Sequence, residues 1–349
     1  MEVLRRVNSE LLLRATGCLA GLAVGDAMGM AVEFMTREEI RKQFRRVDRF
    51  LQPLPGHVHT GTPAGRVTDD TEQTWALARA LLASGRITPR VAADAYLEWA
   101  DRTNAFETSF LGPSSRSALE RLRSGEDPTR TGEKGATVGA AMRVAPIGIV
   151  NAGDPAAAAN EAYLSSLPTH GVNIAIAGAC ALAAGVACAV AGGSLDAVVE
   201  AVLAGAATGQ RLGVQWAGAT VPARMMLALD LVRRYKDEPE KAEEALYETV
   251  GVGMCPAELV ATALGLVVLY DGRPRAAIPA AASMGGDTDT LAAMVGALSG
   301  ALGGIDALPP DWVTTVERMN DLNCEILAKQ LIEARARRLE AGDVRRDES

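Results

Sequence analysis

The sequence predicts an all-α protein, on three observations. Apolar residues recur at helical spacing through most of the 349 residues, whereas alternating strand patterns are scarce, residues 47–51 being the best of a poor set. Aromatic residues make up only 4% of a chain that is 48% hydrophobic and holds 35 glycines, which points to closely approaching helices rather than a core of large rings. No period repeats along the chain, so a solenoid is not indicated.

The elements follow in order. Asn8 and Ser9 signal a cap for a helix over 10–23, and a helix over 71–84 ends at Gly85, where glycine accepts the left-handed turn that stops a helix. Thr88 caps and Pro89 opens the next, which runs to Trp99. Periodicity then predicts helices over 115–122, 155–164, 172–190, 194–203, 215–235, 241–249, 256–269, 276–283, 290–302 and 311–338. Residues 52–66, rich in Pro, Gly and His, and 124–137, rich in Gly and charge, read as loops, and neither resembles an interdomain linker. Residues 1–349 are therefore taken as one compact domain of crossing helices, with a core of about 10–338 and a charged tail over 339–349.

A net charge of −8 argues against a nucleic-acid partner, which needs a basic patch to neutralise phosphates. An anionic ligand would need local help from metal ions or helix N-termini. The five cysteines, Cys18, Cys180, Cys188, Cys255 and Cys324, are scattered and odd in number, so they fit no complete disulfide framework and a reducing cytoplasm is expected. The N-terminus interleaves charged with apolar residues and does not read as a signal peptide. Residues 174–192 carry no charge and are long enough to span a bilayer, yet their Ala and Gly give little hydrophobic gain, so a buried core helix and no membrane partner are expected.

Two acidic clusters stand out for chemistry. Thr68-Asp69-Asp70-Thr71 and Gly285-Gly286-Asp287-Thr288-Asp289-Thr290 lie near opposite ends of the sequence, each opening an apolar helical run. In a looped segment residues two apart point to one side, so Asp287 and Asp289 would face one ion while Thr288 turns away. In an α-helix they would diverge by about 200°, and the Gly285-Gly286 pair favours the loop. Hydroxyl and carboxylate oxygens without Cys or His are the ligand set of Mg²⁺, Mn²⁺ or Ca²⁺ rather than zinc, with Mg²⁺ the first choice. The plain alternative is ordinary N-capping, worth about 0.5–2 kcal/mol each. A cap needs one side chain, however, and the second carboxylate adds only repulsion unless a cation neutralises it. His57 and His59 share a side if extended, but in a Gly/Pro-rich loop without a third ligand they are not assigned to a metal. Trp75 and Trp99 fall on apolar helical faces and are assigned to the core, and Arg116 has no assigned role.

The chain resembles the ADP-ribosylglycohydrolase family, which includes dinitrogenase reductase-activating glycohydrolase and the ADP-ribosyl-acceptor hydrolases. The resemblance runs from Gly17 through Gly25-Asp26-Ala27-Met28-Gly29, Val32-Glu33-Phe34, Thr68 to Thr71, Ala141-Met142-Arg143-Val144-Ala145-Pro146, Thr169-His170 and Gly285 to Thr290, in the family's order. It implies an all-α fold with a binuclear magnesium cleft, two Mg²⁺ with Mn²⁺ as the alternative. The metal ligands it implies are Thr68, Asp69, Asp70, Asp287, Asp289 and Thr290, with Glu33 approaching the site.

The reaction implied is hydrolysis of the bond between ribose C1″ of ADP-ribose and a modified protein side chain or small acceptor. Glu33, Asp287 or Asp289 would serve as the catalytic carboxylate. Implied substrate contacts are Gly139, Ala140, Met142 and His170. From the residues alone, Gly112-Pro113-Ser114-Ser115 precedes a helix, where Gly112 and Ser114 offer backbone amides to a phosphate or form a simple turn and N-cap. The chain departs from the family at Thr137-Val138, where Gly-Asn is usual. Valine has no amide to offer and resists the left-handed conformation that asparagine accepts, so a smaller ribosyl compound, a nucleoside or nucleotide, is the alternative substrate. A catalytically silent ligand-binding relative is the third reading, disfavoured because every matched ligand is present.

Overall fold

Four glycines recur every fourth residue in the first long helix, and they decide how the two ends of the chain meet. The computed structural model describes the backbone of residues 2–108 and 110–347, and the side chains of 9–108 and 110–341. Helix α1 (Glu2–Gly29) outruns the expected 10–23, its residues 24–29 being buried throughout with Asp26 among them, and a 3₁₀ turn at Met30–Val32 ends it. Gly17, Gly21, Gly25 and Gly29 line one face, packed against α14 (Thr288–Gly303). A Cβ at Gly21 would lie 2.2 Å from the Gly296 carbonyl oxygen, and one at Gly25 1.9 Å from that of Ala292. Gly17 meets Gly300 and Gly29 meets Thr288 in the same antiparallel register. The C-terminal end of α1 is thereby brought against the N-terminal end of α14.

The remaining helices, in chain order, are α2 (Arg37–Phe44), α3 (Asp69–Ser84), α4 (Pro89–Arg102), α5 (Pro113–Arg123), α6 (Ala145–Val150), α7 (Pro155–Ser166) and α8 (Asn173–Val190). They continue with α9 (Leu195–Gly209), α10 (Val221–Arg234), α11 (Pro239–Ala245), α12 (Pro256–Leu269), α13 (Pro274–Ala282), α15 (Pro310–Asn320) and α16 (Cys324–Asp347). One hydrophobic cluster takes residues from Leu11 to Ala334, Trp75 and Trp99 among them. The apolar helix α8 runs through this core with every residue but Cys188 buried. Small side chains let its neighbours come close, as the Ala and Gly content implied.

The all-α expectation holds, with local corrections. No strand forms among the described residues. The 47–51 segment is irregular, with a bend at Arg49, and Val47 donates its N–H to the Ser283 hydroxyl (2.8 Å). Helix α10 starts at Val221, not 215, because Thr220 caps it and Gln215 and Trp216 are tied instead to Asn173. The single helix expected over 311–338 is two, broken where Asp321 adopts a left-handed backbone (φ 52°). Two short helices were not foreseen: α6, and α2, whose Thr36–Glu39 capping box is legible in the sequence. Helix α16 continues to Asp347, so most of the 339–349 tail is helical, and residues 348–349 lie outside the described residues.

Candidate active site

Three helix ends converge where α1 meets α14. Thr68 is the N-cap of α3, its hydroxyl accepting from the Asp70 N–H at 3.3 Å, so Asp69 and Asp70 occupy the first helical turn rather than a loop. Beneath them Asp26, fully buried on α1, accepts from the Thr68 N–H (2.9 and 3.0 Å), the Thr71 N–H (3.1 Å) and the Thr71 hydroxyl (2.5 Å). Asp26 was not among the expected site residues, although the Gly25-Asp26-Ala27 motif contained it. Burial raises its carboxyl to about 6 against the lowering effect of these donors.

The second cluster is aimed by its glycines. Gly285 and Gly286 both take left-handed backbones (φ 85° and 71°), and a Cβ at Gly286 would sit 2.3 Å from the Val252 carbonyl oxygen. The following Asp287 N–H donates to that same carbonyl (2.9 Å). The expected loop is corrected here, because Asp287 is the N-cap of α14 and Asp289 lies in its first turn. Thr288 still turns away, its hydroxyl donating to the Gly29 carbonyl (2.9 Å), while Asp287 and Asp289 line the cleft. The two clusters meet at one atom. Asp70 Oδ2 accepts from the Thr68 hydroxyl at 3.4 Å and from the Thr290 hydroxyl at 3.5 Å.

The electrostatics are those of a cation site. Asp70 Oδ1 is buried and has no hydrogen-bond partner among the described residues. Burial first, then the neighbouring carboxylates, hold Asp69, Asp70, Asp289 and Glu33 well above the usual carboxylate range. Burial also raises Asp287. A crowd of buried carboxyls with an orphaned oxygen is costly unless positive charge sits among them. The donors are carboxylate and hydroxyl oxygens, which fit hard divalent cations, and the residues present therefore suit the metal that the sequence implied.

Behind Asp69 runs a buried chain of hydrogen bonds. Gln73 donates its amide to Asp69 Oδ2 (2.7 Å) and accepts from Arg143 through its Oε1. Arg143, 1% exposed and stacked over the Tyr96 ring at 3.7 Å, also donates to the Thr169 hydroxyl (2.5 Å). Thr169 is left to donate to His170 Nδ1 (2.8 Å), so His170 Nε2 carries the hydrogen toward the Thr137 hydroxyl (3.0 Å). Burial and the Arg143 charge hold His170 well below the usual imidazole range, so it is neutral.

Glu33 is gripped by the loop after α2. His57 Nδ1 accepts from the His59 N–H (3.1 Å), so its Nε2–H donates to the Glu33 carbonyl (2.8 Å), and His59 Nε2 contacts the Glu33 carboxylate. The His59 ring stacks on Phe110, with centroids 4.7 Å apart. The third donor whose absence from the sequence removed His59 from consideration is Asp289, which the fold supplies. Next to Glu33, Phe34 holds a left-handed backbone (φ 63°) and an exposed ring at the cleft mouth. Two backbone hydrogen bonds to Gly286, from Phe34 N–H (2.7 Å) and to Met35 O (2.9 Å), offset that strain and couple Glu33 to the second cluster.

The cleft enclosed by these groups has a volume of ≈ 300 Å³. Glu33, Asp69, Asp70, Gly112, Gly139, Met142, His170, Asp287, Asp289 and Thr290 line it. Ser114 does not; one residue further round the first turn of α5, Ser115 takes its place. Ala140 is also corrected, since it is buried away from the cleft. Val138 needs no left-handed backbone, because it opens a 3₁₀ turn and its N–H donates to the Met254 carbonyl (3.0 Å). A larger groove of ≈ 460 Å³ between α3 and α4 holds none of these groups.

Comparison with known proteins agrees with this geometry. The profile of the family described as ADP-ribosylglycohydrolase matches residues 8–341. The uncharacterized protein YegU of Escherichia coli is 37% identical over 329 residues, covering 93% of this chain and 98% of its own. The ADP-ribosyl-[dinitrogen reductase] glycohydrolase of Rhodospirillum rubrum is 27% identical, over 87% of this chain and 90% of its own. A solved structure titled ADP-ribosylglycohydrolase-related protein complex superposes with a TM-score of 0.68 at 29% identity, covering 94% of this chain and 99% of that one. With the match running through nearly every helix and through both acidic clusters, the chain belongs to the ADP-ribosylglycohydrolase family, a family of glycoside hydrolases.

Proposed function

We propose that the protein is a divalent-metal-dependent hydrolase that cleaves the bond between ribose C1″ of ADP-ribose and a modified protein side chain or small acceptor. The observation that carries this reading is the meeting of Thr68 and Thr290 at Asp70 Oδ2 while Oδ1 of the same buried carboxylate is left without a partner among the described residues. Thr68, Asp69, Asp70, Asp287, Asp289 and Thr290 would hold two cations, Mg²⁺ or Mn²⁺. Such ions, when bound, hold ribose hydroxyls and lower the pKa of water.

The chain's own residues do the rest. Water adds its hydroxyl to C1″, its proton passes to a carboxylate, and the acceptor leaves with a proton returned from the site. Glu33, held by two histidines at the edge of the cleft and kept basic by burial, is placed to take that proton. Asp287 and Asp289 stabilise the positive charge that develops on the sugar. Neutral His170 gives its Nε2–H to the Thr137 hydroxyl, which lines the cleft and keeps its own hydrogen for a substrate oxygen. Met142 and Phe110 wall the cleft and exclude bulk water.

A smaller ribosyl substrate is the second reading, supported by Val138, which gives the cleft an apolar wall and has its amide committed to Met254. Incubation with ADP-ribosyl-arginine, ADP-ribosyl-serine, O-acetyl-ADP-ribose and a nucleoside panel, with Mg²⁺ or chelator, separates the two. Turnover of nucleosides alone would replace the first reading with the second. A reducing cytoplasm remains our proposed location, supported by five cysteines that form no disulfide.

A further inference from the structure

The loop over 52–66 brings a nitrogen donor into a site that otherwise offers oxygen. His59 Nε2, a Glu33 carboxylate oxygen and an Asp289 carboxylate oxygen all lie within 4.8 Å of one another. Two donors on one cation with bonds of about 2.1 Å stand roughly 3 to 4.2 Å apart, so a triangle of this size is near the spacing that one shared ion requires. The histidine is not a casual neighbour. It is 4% exposed, its backbone is tied to His57, and its ring plane is fixed against Phe110 at 21°. His57 in turn holds the Glu33 carbonyl, so both donors on this side of the site are oriented by a second layer of contacts. The unpartnered Asp70 Oδ1 in the same cleft independently calls for a cation there.

We propose that His59 is a metal ligand, forming with Glu33 and Asp289 a mixed nitrogen–oxygen position that favours Mn²⁺, Co²⁺ or Zn²⁺ over Mg²⁺. Imidazole raises affinity for first-row transition ions, whereas Mg²⁺ gains little from a nitrogen donor and prefers carboxylates and water. The inference rests on the metal-centre part of the proposed function and adds to it two donors, His59 and one Glu33 oxygen, and an ion preference, the other Glu33 oxygen keeping the proton-accepting role.

The full chain is stripped with chelator, loaded with Mn²⁺ and examined by pulsed electron paramagnetic resonance. A directly bound ¹⁴N modulation is expected in the unaltered protein, so the test does not depend on any variant folding. His59→Gln retains a hydrogen-bond donor toward Glu33 but no imidazole, and should lose the modulation. Its Co²⁺ affinity relative to Mg²⁺, read by thermal shift in competition, should fall about tenfold or more. Bound Mn²⁺ without ¹⁴N modulation, or modulation that survives in His59→Gln, overturns the assignment while leaving the metal centre standing. Failure to bind Mn²⁺ or Mg²⁺ at all overturns both.

Discussion

Thr290 Oγ1 stands 3.5 Å from Asp70 Oδ2 across 220 residues of chain, and this contact joins the two acidic clusters into one site. Neither cluster could bring the other near by local structure. The contact follows from the glycine face of α1, which lets α14 approach until Thr288 touches Gly29 and Asp289 faces the first turn of α3.

Asp70→Asn should separate function from stability. It removes one charge from a buried anionic group, so the metal-free protein should melt at a higher temperature than the unaltered one. The stabilisation by added Mg²⁺ or Mn²⁺ should vanish with the ligand, and turnover of an ADP-ribosyl substrate should fall by about 100-fold or more. Melting curves with metal and with chelator, beside a rate assay, check all three. Retained metal stabilisation would take Asp70 out of the site.

The metal-free protein should grow more stable on mild acidification. Burial raises Asp26 to about 6 from the ordinary aspartate value of 3.8, so between those values the folded state binds more protons than the unfolded state. Stability then falls as pH rises through this window, by on the order of 3 kcal/mol from Asp26 alone. The raised Asp69, Asp70, Asp289 and Glu33 act in the same direction. Chelator-treated protein should therefore melt higher near pH 5 than near pH 7, and added divalent cation should flatten the slope. A metal-free melting temperature that rises from pH 5 to pH 7 contradicts this.

Gly25→Ala should unfold the protein or cost about 3 kcal/mol or more, because its Cβ meets a backbone carbonyl at 1.9 Å and neither helix has a side chain there to yield. Denaturant titration measures the loss. A change within about 0.5 kcal/mol would mean that α1 and α14 can separate without consequence.

Arg143→Gln should scramble the hydrogen-bond order that runs from Asp69 to Thr137. Without the Arg143 donor, nothing obliges Thr169 to donate to His170 Nδ1, so the imidazole should become a mixture of tautomers. ¹⁵N chemical shifts of His170 report this without reference to activity. Metal affinity should fall about 10–100-fold as Asp69 loses its oriented Gln73 partner. An unchanged His170 spectrum would show that Arg143 only fills space.

Much of this molecule is legible in the sequence because much of it is local. Thr68, Thr88, Asp154, Ser194 and Thr220 all cap helices with their side chains, and such contacts span two or three residues. The acid clusters stand out by composition, but their two-residue spacing reads as a loop, whereas Asp69, Asp70 and Asp289 all lie in first helical turns. Ser114 was misplaced by a single residue, since neighbouring positions at a helix start differ by about 100° in direction.

What the sequence by itself determined was the helical class, most helix starts, and which oxygen-bearing residues are competent to face a cation. The tertiary structure alone decided that Asp26 would sit beneath the first cluster, that His59 would reach Glu33 across 26 residues, and that Arg143 would reach Gln73 across 70. Propensity and capping act over a turn of helix and can be read in order along the chain. Contacts that close long loops depend on which backbone surfaces fit together, and here that fit is set by glycines whose importance shows only once α1 and α14 are side by side.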